Sequence, residues 1–333
     1  MVRTFVRTVL KLILCLVFLV VILLVVFNIT RFVREKGNPA HVPHAGYQID
    51  TVDARMYVQD VGAKSARVVV LIHGTGTWGE IWHETVTPLS KAGYRVITID
   101  MPPFGYSEKL ADSEQYSRDK QAQRILNVLT KLKISRAIIV GHSVGARPTL
   151  EAVLMSPETF EKVVLIDPAL GLDPGYQDKP VFVGGQSALM RLLLQSPIVR
   201  TPVLSAYGTN PLFIERMFSS FVSKKEAITE ARVGIIKQPM SIKNTTHAYG
   251  EWLKNLSASE DNSLGADFDN LAKLKMPILY IWGETDNITP LWQGKALQSV
   301  TPNSKLVIIP EVGHIPYIEN VGEFNKHLLD FLK

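Results

Sequence analysis

The chain has 333 residues, 46% of them hydrophobic, with 36 basic and 31 acidic side chains and one cysteine. Residues 1–36 hold six basic residues and one acid, which accounts for the whole net charge of +5, so the charge marks no nucleic-acid surface. The single Cys15 excludes an internal disulfide and a thiolate metal site.

The first predicted element is a membrane span. No charge occurs from Leu12 through Thr30, and those 19 residues cover about 28 Å as a helix, close to the ~30 Å of a bilayer's hydrocarbon core. Lys11 can snorkel, which extends the expected bilayer contact to residues 9–30. The run ends in Phe27-Asn28-Ile29-Thr30-Arg31, without the small-x-small site of a cleaved signal, so residues 1–30 read as a single-pass signal-anchor. Arg3, Arg7 and Lys11 before it balance Arg31, Arg34 and Lys36 after it. The free amino terminus and Glu35 tip the expected orientation towards a cytoplasmic N-terminus, with the remainder extracytoplasmic. Residues 31–45, with Gly37, Pro39 and Pro43, read as a linker.

Beyond the linker, short β-rich runs alternate with helical patterns. A strand at Val68–Ile72 runs into His73-Gly74-Thr75-Gly76, followed by a helix over 81–92, a strand over 94–100 and a helix over 113–132. A strand at 136–140 then meets Gly141-His142-Ser143-Val144-Gly145, with helical composition from Val144 to Met155. This G-x-S-x-G between strand and helix forces a sharp reversal at the serine, and its flanking glycines let strand and helix approach. Such alternation predicts a mostly parallel sheet with helices on both faces. It breaks between Leu170 and Lys273, where amphipathic stretches at 189–194, 212–221 and 228–236 predict a helical insertion. Strands return at 277–283 and 305–309.

A serine nucleophile needs a base, and three histidines follow Ser143. His314 stands just past a strand's carboxyl end, where open α/β sheets place their chemistry; His247 lies in a polar stretch and His327 in the last helical pattern. Two aspartates end strands in the same way: Asp286, the chosen acid, and Asp167, the alternative. His73 reads as a brace for its loop.

In this order, His73-Gly74-Thr75-Gly76, Asp100-Met101-Pro102-Pro103-Phe104-Gly105-Tyr106-Ser107, the Ser143 elbow, Gly283 to Asp286 and Gly313-His314 resemble the α/β-hydrolase family over residues 45 to 333. The second motif departs from the family's D-x-P-G-x-G-x-S at Pro103, in a loop read as structural. The resemblance implies a Ser143–Asp286–His314 triad, with some relatives taking the acid from the position of Asp167. It also implies an oxyanion hole from the Thr75 and Val144 amides, and no metal or organic cofactor. Serine at the elbow disfavours the dehalogenase and epoxide-hydrolase branches, which use aspartate there. The implied domains are a core of residues 46–169 and 274–333 and a cap of 170–273. The expected function is hydrolysis of carboxylic esters, lipid-derived ones included. Hydrolysis of a carbon–carbon bond in a diketone is the second reading, and a non-catalytic binding protein on the same scaffold the third.

Overall fold

The computed structural model describes residues 2–37, 45–171, 194–257 and 264–333. Its first element, α1 (Val2–Arg34), is one unbroken helix, long and apolar enough to cross a membrane by length and composition. It runs four residues past the expected end of the span, so the linker begins as helix. Gly37 is likewise ordered, pairing with Ile242 as an isolated bridge.

Eight strands form the sheet: β1 (Gly46–Asp50), β2 (Arg55–Val61), β3 (Val68–Ile72), β4 (Arg95–Ile99), β5 (Ala137–His142), β6 (Phe160–Ile166), β7 (Ile278–Gly283) and β8 (Ser304–Ile309). Their order is β1-β2-β4-β3-β5-β6-β7-β8. β1 pairs antiparallel with β2 and β2 with β4, whereas every pairing from β4 to β8 is parallel. Sequence reading missed the β1–β2 hairpin. Its outer strand is only partly buried and lacks the continuous apolar run that identified β3, β5, β6 and β7.

The strands' two faces are covered separately. On one side Val68, Val70 and Ile72 pack with Val128 of α3 (Arg118–Lys131) and Leu150 of α4 (Ala146–Met155). On the other, Val69 and Leu71 pack with Leu89 of α2 (His83–Lys91) and with Phe324 and Leu328 of the last helix (Val321–Leu332). The alternation follows from the two-residue repeat of a strand. The helix expected over 113–132 is divided at Ser117, whose extended ψ of 152° interrupts it.

Between β6 and β7 the described residues include α5 (Pro197–Ala206), α6 (Ile214–Ser219), α7 (Glu230–Lys237), α8 (Thr245–Leu256) and the short α9 (Phe268–Leu271). α6 and α7 match the expected second and third amphipathic stretches; the first lies outside the described residues except for Leu194. α5 and α8 were not foreseen. After β7 come α10 (Trp292–Val300), then, beyond β8, α11 (Pro316–Glu319) and α12 (Val321–Leu332).

β4 lies on one side of β3 and β5 on the other, so the direction of winding reverses between them. Such a switch point opens a crevice at the carboxyl ends of the strands. Register aligns those ends: Ile72 pairs with Gly141, His142 with Ile166, and Ile166 with Ile281. The turns carrying Thr75, Ser143, Asp167 and Asp286 therefore stand side by side.

Candidate active site

The elbow explains its own sequence. Ser143 has φ of +53°, a left-handed conformation that costs a non-glycine residue energy and persists only when its surroundings enforce it. A Cβ at Gly141 would strike the Thr149 side chain and come within 3.0 Å of the Ala146 Cα; one at Gly145 would strike the His73 carbonyl. Glycine at both positions lets the chain reverse tightly and presents Ser143 Oγ at the strand end.

Ser143 Oγ lies 2.8 Å from His314 Nε2, and His314 Nδ1 lies 2.7 Å from Asp286 Oδ2. All three residues are buried. Since the Asp286 carboxylate only accepts, Nδ1 carries the proton and Nε2 is left to accept from the serine hydroxyl. Asp286 Oδ1 also accepts from the Ile288 and Thr289 amides at 2.7 and 3.0 Å, and Oδ2 from Thr289 Oγ1 at 2.6 Å. Burial alone would raise this carboxyl; the bond from His314, its charge and the bond from Thr289 outweigh that and hold it below the ordinary aspartate value.

Asp167 ends β6 directly behind Asp286. Its Oδ1 accepts the Gly283 N–H at 2.9 Å, and its donor atoms, those of Asp286 and those of His314 lie within 4.8 Å of one another. Burial first, and then the Asp286 charge, raise the Asp167 carboxyl well above the usual range. The structure thus pairs the imidazole with Asp286 and leaves Asp167 outside that hydrogen bond. Although these three side chains have the donor types of a cation site, Asp286 and His314 satisfy one another through their hydrogen bond.

Thr75 and Val144 both line a cavity of about 420 Å³ beside Ser143, together with Met101, Phe104, Arg147 and Trp252. His73 braces the loop as expected: Nδ1 donates to the Gly74 carbonyl at 2.8 Å, and Nε2 accepts the Met101 N–H at 2.9 Å. Burial pushes its imidazole down to about 4, so it stays neutral. Asp100, from the second motif, accepts the Gly79 and Tyr106 amides and holds that loop against β4. His247 and His327 stand apart: His247 Nε2 contacts the Ala111 carbonyl, and His327 sits 3.7 Å from Glu323 on α12.

Several supporting residues escaped sequence reading. His142, inside the elbow motif itself, donates from Nε2 to the His314 carbonyl at 2.9 Å and accepts on Nδ1 from Tyr317 Oη at 3.1 Å. Burial and the neighbouring His314 push its imidazole down to about 3. Glu319 gathers the histidine loop and the insertion together, accepting amides from Gly313, Ile315, Ser223 and Lys224. The His314 N–H donates to the Phe221 carbonyl at 2.9 Å, so the insertion touches the site directly. Only His142 carried a local signal; the others depend on contacts distant in sequence.

Comparison with known proteins places the chain in a family. The profile of the alpha/beta hydrolase fold family matches residues 67–321, and the chain belongs to that family. A 2-hydroxy-6-oxononadienedioate/2-hydroxy-6-oxononatrienedioate hydrolase of Burkholderia vietnamiensis is 28% identical over 288 residues, covering 85% of this chain and 93% of its own. An esterase from Exiguobacterium antarcticum superposes with a TM-score of 0.69 at 22% identity, over 86% of this chain and 98% of its own. A bacterial membrane phospholipase A superposes with a TM-score of 0.67 at 19% identity, over 100% of this chain and 98% of its own. The protein is a hydrolase of this fold.

Proposed function

We propose that the protein is a membrane-anchored serine hydrolase that cleaves carboxylic esters through an acyl-enzyme. The hydrogen-bonded line from Asp286 through His314 to Ser143 carries this reading. Ser143 Oγ attacks the ester carbonyl carbon while its proton passes to His314 Nε2. The Thr75 and Val144 amides hold the charge that forms on the carbonyl oxygen, where losing one such donor typically costs about 100- to 1,000-fold in turnover. Collapse expels the alcohol, which takes the proton from His314, and leaves the acyl group on Ser143. Water, deprotonated by His314, attacks that acyl carbon; the acid departs and Ser143 recovers its proton. Asp286 holds the imidazole in its productive tautomer and stabilises its charged form. No metal or organic cofactor takes part. Residues 46–169 and 274–333 form the catalytic core and 170–273 its cap.

The long apolar α1 supports anchoring through residues 9–30 as a single pass, with residues 1–30 uncleaved and the catalytic domain extracytoplasmic. A tethered site meets bilayer-resident substrates at high local concentration, which favours lipid-derived esters. The likeness to a membrane phospholipase A along the whole chain agrees with that preference. Labelling by a fluorophosphonate tests the nucleophile: wild type labels, and Ser143→Ala loses both label and esterase activity while remaining folded. Full labelling of Ser143→Ala would place the nucleophile elsewhere.

The identity with the Burkholderia hydrolase supports a second reading, carbon–carbon cleavage of a diketone by the same residues. Rates on p-nitrophenyl esters and on a ring-fission dienoate, measured side by side, separate the two.

A further inference from the structure

The anchor helix does not merely precede the helical insertion; it is bolted to it. In the last turns of α1, Leu24, Phe27, Asn28, Arg31 and Arg34 are partly covered, and their spacing places them on one face. Ser205 Oγ donates to the Phe27 carbonyl at 2.6 Å. The Arg34 guanidinium donates to the Ser205 carbonyl and hydroxyl, each at 3.0 Å, and to the Thr209 carbonyl at 2.9 Å. Just beyond, the Glu35 carboxylate accepts the Thr246 amide and hydroxyl, and Gly37 exchanges backbone bonds with Ser241 and Lys243.

These bonds set a depth. Phe27 and Leu24 belong to the uncharged run that ends at Thr30, and the rise from Leu24 to Thr30 is about 9 Å. A segment held against them cannot ride above the bilayer if α1 crosses it. On both segments the contacts run the same way: Ser205 meets Phe27 and Arg34, and Thr209 meets Arg34. Pro197 to Leu204 therefore point towards the middle of the bilayer.

The segment's chemistry fits that place. From Leu194 to Ile214 the only charge is Arg200, which is turned inward and paired with Glu251. From Pro197 to Leu212 the outward residues are apolar: Ile198 is 85% and Leu212 80% exposed, and Val199, Val203 and Tyr207 are 39–47% exposed. An exposed apolar group of this extent on a water-bathed surface is costly and marks an interaction site. A charge-free helix face with a tyrosine near its upper end suits the boundary between headgroups and acyl chains.

We propose that α5 and the turn after it, Pro197 to Leu212, are embedded in the leaflet crossed by the C-terminal end of α1, making the helical insertion a bilayer-inserted surface. This rests on the reading of α1 as an uncleaved anchor. Gly208 and Thr209, at the end of this surface, line a narrow cleft with Gly76, Thr77 and Phe104.

The test uses the full chain with Cys15→Ser, which removes its one cysteine. Single cysteines replace Ile198, Val203, Leu19 or Ser65, each is coupled to a nitroxide, and the protein is reconstituted in phosphatidylcholine–phosphatidylglycerol vesicles. Leu19 reports the span. Ser65 is exposed in the turn before β3, at the opposite end of the strands from the site. Collisional relaxation by oxygen and by a water-soluble nickel chelate reads the depth of each label. At Ile198 and Val203 the oxygen-to-nickel ratio is expected to exceed that at Ser65 by about tenfold, approaching the value at Leu19. If Leu19 is lipid-exposed while Ile198 and Val203 match Ser65, the embedded surface is wrong and the anchor stands. If Leu19 itself is aqueous, the anchor reading falls and takes this proposal with it.

Discussion

Replacing Asp286 and Asp167 separately by asparagine distinguishes their roles. Asparagine at 286 keeps an oxygen to accept the Ile288 and Thr289 amides, so the turn survives. It sets an NH₂ group against His314 Nδ1 in place of the carboxylate Oδ2. The imidazole must then carry its proton on Nε2, where it faces Ser143 Oγ as a donor and can no longer accept. The wrong tautomer and the lost charge together predict a fall of about 10,000-fold in kcat, or about 5.4 kcal/mol of barrier. Asp167 lies outside the bond to the imidazole, and asparagine there is nearly isosteric with the native side chain. It keeps an acceptor for the Gly283 N–H and costs less than about tenfold, because the Asp286–His314 bond stays in place. Both variants are assayed as the full chain in detergent with p-nitrophenyl butyrate, normalised to folded protein by near-UV circular dichroism. The reverse ranking in folded protein would move the acid to β6 and refute the assignment.

Three further outcomes follow from the same structure. Gly145→Ala should lower the melting temperature and cost about 1–3 kcal/mol, because its methyl meets the His73 carbonyl and lies 3.1 Å from Ile72 Cγ2. Gly234→Ala, in α7 with open space around it, should be stabilising by up to about 1 kcal/mol; equal effects of the two alanines would refute the packing account. His142 has a depressed folded pKa, so the unfolded chain takes its proton first, and stability is lost as pH falls from 6.5 towards about 3. His142→Gln should therefore remove up to one proton, about 1.4 kcal/mol per pH unit, from the slope of urea stability against pH over that window; an unchanged slope would show that His142 is charged in the folded state. The full chain should stay with membranes through alkaline carbonate extraction, whereas a mature protein beginning near residue 40 in the soluble fraction would make α1 a cleaved signal.

The elbow and the apolar run were legible because each is a local requirement. A tight reversal at Ser143 demands small neighbours within two residues, and the long apolar helix α1 follows an uninterrupted apolar run; both are written along the chain. The buried parallel strands were legible for the same reason, since a strand covered on both faces must be apolar throughout. α5 was missed because Pro202 inside it argues against a helix locally, although its contacts with α1 stabilise one. Sequence alone placed both Asp167 and Asp286 beyond strand ends and could not measure which one faces His314 Nδ1. That was decided by the register of β6 and β7 and by the Thr289 turn, which aims Asp286 at the imidazole and leaves Asp167 behind it. The link between Arg34 and Ser205 joins residues 171 apart in sequence and has no local signature at all. A hydrogen bond of that span exists only because the packed chain brings both ends to one place, and it is such long-range contacts that set the depth of the helical insertion against α1.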